Sequence, residues 1–296
     1  MQYHAPSSIS AAIELLSKSS TTPETPIRVL AGGTDLLVQL RSGMISPASI
    51  INIKKIPETT SISIKDDGVL VGASVSGAEF NENKTLKNLW PGVAEAFDLI
   101  GSTQVQSRAS LGGNLCNSSP AADSVPALIA AGAIAHIAGP EGQKQIPVEN
   151  INTGPGKNCL KAGEFIVNFE FPKRLVRSGD AYLRMTPRTE MDIAIVGVGI
   201  NVTLDKSGKC IAARVGLGAV APRALLVEEA ANTLIGTTID EAALNNLQQA
   251  ISDACQPIDD KRGTIEYRTK VAGVIAKRTA IIARDRALAT DAVGAQ

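Results

Sequence analysis

The stretch Val29-Leu30-Ala31-Gly32-Gly33-Thr34-Asp35-Leu36 decides how this chain is read. It closes a short apolar run, Ile27 to Leu30, and leads into Leu36-Leu37-Val38. A strand that breaks on two glycines and resumes as a helix leaves backbone N–H groups open to a ligand, because no Cβ stands in the way. Successive N–H groups in such a turn form an anion-binding concavity. A second segment carries the same signal: Ala109-Ser110-Leu111-Gly112-Gly113-Asn114, followed by Ser119-Pro120-Ala121-Ala122-Asp123. Each glycine pair taken singly also reads as an ordinary turn. Together, with Thr34, Ser110 and Asn114 as short polar donors, two such turns would grip both halves of a pyrophosphate. The usual nucleotide fingerprints are missing: no G-x-G-x-x-G follows a strand, and no G-x-x-x-x-G-K-S/T occurs.

Composition bounds what the turns can serve. With 296 residues, 44% of them hydrophobic, the chain can bury a sizeable core as one large or two ordinary domains. Lys plus Arg and Asp plus Glu balance at 29 each and aromatics make up 3%, so no nucleic-acid partner is expected. The start, Met1 to Pro6, has neither a charged n-region nor an apolar h-region. The longest apolar stretches, Pro126–Gly139 and Ile193–Val202, are too short for a membrane span. The expectation is a soluble, cytoplasmic protein. Cys116, Cys159, Cys210 and Cys255 show no C-x-x-C clustering, so they read as reduced thiols rather than metal or cluster ligands. Redox chemistry here would need an organic cofactor or a partner's cluster. Only Ala289–Gln296 has a composition that suggests disorder.

Hydrophobic periodicity organises the rest. Helical spacing marks Ser8–Ser17, Asp35–Arg41, Trp90–Ile100 and Asp123–Ala131. Strands are expected at Ile27–Leu30, Ser49–Ile53 and Ala133–Ala138, and at Phe165–Phe171, which alternates cleanly. Asp66-Asp67-Gly68 signals a hairpin between Ser61–Ile64 and Val69–Val71. A boundary is expected near Pro172–Gly179. Beyond it two strand-like runs, Asp192–Leu204 and Cys210–Ala221, flank the turn Lys206-Ser207-Gly208-Lys209. Three helical segments follow, Leu226–Leu234, Asp240–Cys255 and Tyr267–Ala287, the order of a separate α+β domain.

Several residues admit two readings. Asp123 at a helix start is a cap, or its carboxylate accepts from sugar or ribityl hydroxyls; sequence physics favours the cap. His4 and His136 lie outside both glycine segments, and a lone strand histidine is more often a satisfied structural residue than a base. No Ser-His-Asp or Cys-His set supports hydrolysis. Arg184, Arg188, Glu190 and Asp192 form either a solvated charged loop or a loop reaching over the ligand of the first domain.

The pattern AGGTDLL from Ala31 to Leu37, with S-x-A-S-L-G-G-N-L-x-x-x-S-P-A-A-D from Ser107 to Asp123, resembles the FAD-binding medium subunit of molybdenum hydroxylases, the xanthine and carbon monoxide dehydrogenase family. The likeness covers nearly the whole chain. It implies an α+β fold, with a two-part FAD-binding domain of the PCMH type over residues 1–175. A C-terminal domain of antiparallel sheet plus helices would follow over 176–296. It implies noncovalent FAD, with Val29, Leu30, Ala31, Gly32, Gly33, Thr34, Asp35 and Leu36 as the first binding loop. Ser110, Gly112, Gly113 and Asn114 match the second loop, and Asp123 the family's acidic FAD contact. Ile100 falls where some relatives place a Phe beside the isoalloxazine. Ile166 matches an apolar adenine-side contact, and Arg184 a position where some relatives carry Lys. Arg188–Asp192 matches the loop that governs access of the acceptor. No catalytic or metal-binding residue is assigned. The implied role is electron transfer within an oxidoreductase, from the 2Fe-2S clusters of a small partner subunit to an external acceptor, beside a large molybdenum-cofactor subunit in a dimer of heterotrimers. The alternatives are a self-sufficient flavin-dependent reductase or oxidase of the same superfamily, and a non-catalytic nucleotide-sensing module.

Overall fold

The computed structural model describes residues 1–17 and 26–293, with side chains through residue 289. The chain opens with β1 (Gln2–His4), α1 (Ile9–Ser17), β2 (Ile27–Leu30), α2 (Leu36–Arg41) and β3 (Ser49–Asn52). β3 lies between β1 and β2, parallel to both. Parallel neighbours need crossovers, which α1 and α2 supply. α1 turns Ala12 and Leu16 inward, against Ile51, Ile53 and Ile56. This unit delivers the first glycine segment directly off the end of β2.

A second, antiparallel layer follows. It comprises α3 (Pro57–Thr60), β4 (Ile62–Lys65), β5 (Gly68–Gly72), the short helices α4 (Gly77–Glu82), α5 (Lys84–Leu89), α6 (Pro91–Asp98), α7 (Thr103–Gln106), α8 (Leu111–Asn117) and α9 (Ser124–Ala131), then β6 (Ile134–Gly139), β7 (Gly142–Pro147), β8 (Asn152–Gly154), β9 (Lys157–Asn158) and β10 (Phe165–Pro172). The five-stranded sheet runs β4-β5-β10-β6-β7, with β10 at its centre. A central strand is buried on its inner face, and Phe165, Phe169 and Phe171 are nearly inaccessible. Phe171 meets Phe80 and Trp90 at ring separations of 6.4 and 5.7 Å. Ser76 and Glu79 form a reciprocal capping box that starts α4.

The remaining strands, β11 (Ser178–Met185), β12 (Val196–Leu204), β13 (Cys210–Gly218) and β14 (Leu225–Leu226), form an antiparallel sheet, followed by α10 (Glu228–Asn232), α11 (Glu241–Ala254) and α12 (Ile265–Val293). Asp205 accepts from the N–H groups of Ser207 and Lys209, and Gly208 takes φ +84°, which closes the expected hairpin. α12 packs on one side of this sheet. A Cβ on Gly179 would lie 2.0 Å from the Ala283 carbonyl of that helix. On the other side sits α9, buried along its length. Cβ atoms on Gly199, Gly216 and Gly218 would fall 2.5, 2.2 and 2.6 Å from Pro126 of α9. The bare glycines therefore make a socket for a helix from the first half of the chain.

A polar clasp joins the halves as well. Asp180 accepts from Arg174 at 2.8 Å and from the Gly92 N–H at 2.9 Å, while Arg174 stacks on Trp90. Arg286 of α12 bridges the Asp180 carbonyl and Glu95 of α6.

Several sequence expectations are corrected. The strands read as Asp192–Leu204 and Cys210–Ala221 are shorter, Val196–Leu204 and Cys210–Gly218. β11 went unread, since Ser178-Gly179-Asp180 looks like a turn; its glycine admits α12 and its aspartate is neutralised by Arg174. Arg184 consequently lies in a strand, not a charged loop. The second glycine segment is not a turn, because Gly112 and Gly113 lie in the first turn of α8. The tail singled out for composition begins inside α12, and residues 294–296 lie outside the described residues.

Candidate FAD site

Between the parallel unit and the central sheet lies a cleft of about 370 Å³. Val29, Ala31, Gly32, Gly33, Thr34, Asp35 and Leu36 line one wall. Ser110, Gly112, Gly113 and Asn114 line another, with Ile100 and Ile166 completing it. Three residues proposed from sequence do not line it. Leu30 is buried in the wall at 9% exposure, and Asp123 and Arg184 lie behind α8, bonded to each other.

The two glycine segments are built differently. In the first, the chain leaves β2, bends at Ala31-Gly32 and takes φ +85° at Gly33, a value that glycine adopts without steric cost. Among the described residues the N–H groups of Gly32, Gly33 and Thr34 find no acceptor. They are free to donate to an anion, and the dipole of the following α2 would add to them. Gly32 also meets the second segment, since a Cβ there would stand 1.8 Å from the Arg108 carbonyl oxygen.

In the second segment most donors are already engaged. The Gly112 N–H donates to the Ala73 carbonyl at 3.0 Å, and that of Gly113 to its N-cap, Ser110 Oγ, at 3.2 Å. A Cβ on Gly112 would lie 2.7 Å from Ala73 O, so this glycine serves packing. Gly113 has a different environment. A Cβ there would meet only Ser110 Oγ, at 3.2 Å, and would otherwise project into the cleft. Bare backbone therefore faces the cleft at this point. These two features, unengaged donors on one wall and a cradle that a Cβ would fill on the other, fit a pyrophosphate-bearing cofactor.

Asn114 Oδ1 accepts from the Ser124 N–H and from Ser124 Oγ at 2.6 Å, tying α8 to the start of α9. Next to Ser124, Asp123 makes no cap; the cap reading is corrected. Its carboxylate accepts from Tyr182 Oη at 2.8 Å and from Arg184 Nη1 at 2.7 Å. Gly197 makes room for that phenol, since a Cβ there would lie 2.4 Å from it. Burial pushes the Asp123 carboxyl up to about 6, against the downward pull of Arg184 and Tyr182. Arg184 Nε is buried without a partner.

Other lining groups were missed by sequence reading, among them Arg28, Gln39, Cys116, Asn117 and Asn158. Gln39 Nε2 donates to Asn117 Oδ1 at 3.3 Å, linking α2 to α8 across the cleft. Asn117 follows Asn114 by three residues, a helical spacing that would have placed it on the same face had α8 been recognised. Burial and Cys159 nearby push the Cys116 thiol up to about 12, which keeps it protonated and unreactive. All four cysteines are free. His136 bonds Glu170 at 2.8 Å and Gln145 at 3.0 Å on the sheet surface, away from the cleft.

A cleft with this donor arrangement suits a pyrophosphate-bearing nucleotide, and comparison with known proteins names the class. Residues 1–174 match the FAD binding domain in molybdopterin dehydrogenase, and residues 181–282 match the CO dehydrogenase flavoprotein C-terminal domain. The chain belongs to the family of FAD-binding medium subunits of molybdenum hydroxylases, which are oxidoreductases, and its cofactor is FAD. It is 30% identical over 286 residues to the carbon monoxide dehydrogenase medium chain of Afipia carboxidovorans, spanning 96% of this chain and 97% of that one. It is 27% identical to the xanthine dehydrogenase FAD-binding subunit of Escherichia coli O157:H7, over 93% of each. Among solved structures, reconstituted CO dehydrogenase from Oligotropha carboxidovorans superposes with a TM-score of 0.91 at 29% identity, covering 97% of this chain and 98% of that one. Quinoline 2-oxidoreductase from Pseudomonas putida 86 does so with 0.87 at 26% identity, over the same shares.

Proposed function

We propose that the cleft holds one noncovalent FAD with its pyrophosphate on the Gly32, Gly33 and Thr34 N–H groups and against the bare face of Gly113. Residues 1–175 then form the flavin-carrying domain, and residues 176–296 close against it through α9. The observation that carries this reading is the pairing of unengaged donors with an open glycine across one cleft. Ile100 and Ile166 offer apolar contact to the ring systems. Asp123 and Arg184 support the cleft from behind α8, one bond removed through Ser124 and Asn114.

Bound flavin supplies the chemistry, accepting electrons singly and releasing them in pairs. This chain's residues bind it, orient it and shape its surroundings. The lining offers no activated nucleophile, since the Cys116 thiol is held protonated. The chain thus serves as an electron-transfer subunit in the cytoplasm, receiving electrons from a small 2Fe-2S subunit within a dimer of heterotrimers that also contains a large molybdenum-cofactor subunit. The full-length likeness to medium chains favours this over a stand-alone reductase. The test is to compare the purified chain with the co-expressed complex. The chain alone should release FAD, not FMN, on acid precipitation and show no substrate-dependent bleaching. In the complex, substrate should bleach the flavin. Turnover of an organic substrate by the isolated chain would refute the subunit role.

A further inference from the structure

Lys54 stands behind the first glycine turn and does not line the cleft. It lies in a single 3-10 turn, Ile53–Lys55, whose start is fixed by Asn52 Oδ1 accepting from the Lys54 N–H at 3.0 Å. Its Nζ donates to the Ala31 carbonyl oxygen at 2.5 Å. That oxygen and the Gly32 N–H belong to one peptide plane. In a trans peptide, the state of every described bond, the C=O and the N–H point in opposite directions. A side chain that fixes the carbonyl therefore aims the N–H. The Arg108 carbonyl closes on Gly32 from the other segment, leaving no room for a side chain there.

The charge at this spot is unanswered. Among the described residues no carboxylate pairs with Lys54 or with Arg108. Burial, together with the nearby Arg108, pushes the Lys54 pKa below the ordinary lysine value. A half-buried ammonium thus stands beside a row of unengaged N–H groups, its charge opposed by the exposed Arg108. Such an arrangement is costly alone and is relieved by a nearby anion.

We infer that Lys54 is a positioning residue for the FAD pyrophosphate: its ammonium aims and polarises the Ala31–Gly32 peptide, and its charge is answered when the dianion binds. This rests on the reading of the cleft as the FAD site. Arginine at position 54 keeps a charged donor, glutamine keeps a donor without charge, and methionine keeps only the apolar stem.

The test titrates the flavin-stripped, full-length chain with FAD and with riboflavin, which has the ring and ribityl chain but no phosphate. Lys54→Met should weaken FAD roughly ten- to hundredfold, the range for a lost charged hydrogen bond, and leave riboflavin affinity unchanged. Lys54→Gln should fall between Met and wild type, and Lys54→Arg should recover most of the affinity. The salt dependence of FAD binding should become shallower in Lys54→Met. Equal loss of FAD and riboflavin in both Lys54→Met and Lys54→Gln would mean a purely structural role and overturn the inference, as would unchanged FAD affinity. Gly113→Val separates the two claims: if it leaves FAD binding intact the cleft assignment itself fails, and if it abolishes FAD binding while Lys54→Met has no effect only the role of Lys54 fails.

Discussion

The two glycine pairs look interchangeable in sequence and are opposite in structure. Gly32-Gly33 forms a true turn with unengaged donors, and Gly112-Gly113 opens a helix whose donors are engaged. Within each pair one glycine serves internal packing. Gly32 meets the Arg108 carbonyl, and Gly112 meets that of Ala73. The other member differs: Gly33 is required by its own φ, whereas a Cβ on Gly113 would meet only the Ser110 hydroxyl and otherwise open space. A glycine whose need cannot be found inside the protein points to something outside it.

Substitutions can break this comparison. Gly32→Ala should have the largest effect, on the order of 4 kcal/mol of lost stability, because a Cβ would overlap a backbone oxygen that cannot step aside. A chemical denaturation midpoint close to wild type would sink it. Asp123→Ala comes next, at about 3 kcal/mol, since it strips both Tyr182 Oη and the buried Arg184 guanidinium of their acceptor. The pH profile adds a second readout. The folded Asp123 pKa, about 6, stands above the ordinary 3.8, so its proton stabilises the fold at low pH. That contribution is complete below about pH 4 and is lost as pH rises through about 6. Relative to the non-titrating Asp123→Asn, wild type should therefore lose stability as pH rises across that window, with the difference flat above about pH 7.

Gly112→Ala should cost about 2 kcal/mol by pushing α8 off the Ala73 carbonyl, with FAD lost only as far as folding is lost. Gly113→Ala is the sharpest contrast. Stability should change by less than about 1 kcal/mol, since a helical Gly→Ala gain offsets the close Ser110 contact. FAD affinity should nonetheless fall at least about tenfold. A Gly113→Ala variant with native FAD affinity would erase the distinction drawn between the two glycines.

Sequence periodicity made the layers legible wherever burial was apolar, as in β10 and in the hairpin joining β12 and β13. It failed where burial was polar. β11 hides Asp180 behind Arg174, and no local pattern announces that the arginine six residues earlier is its partner. The cleft was legible through its glycines and its resemblance, but the engaged state of the second segment was not, because Ser110 as a cap and Gly112 against Ala73 are three-dimensional facts. Asp123 was recognised as important for the wrong local reason: its partners Tyr182 and Arg184 lie some sixty residues on.

The glycine socket for Pro126 sets a rule for inheritance. Gly199, Gly216 and Gly218 accept the proline of α9 from the other half of the chain. Recombination between relatives at the connection from Pro172 to Ser178 would separate the plug from its socket. A chimera crossed over there should survive only when both parents carry matching small residues at all three positions. The functional unit of exchange is therefore the whole chain, whatever its apparent division into two domains.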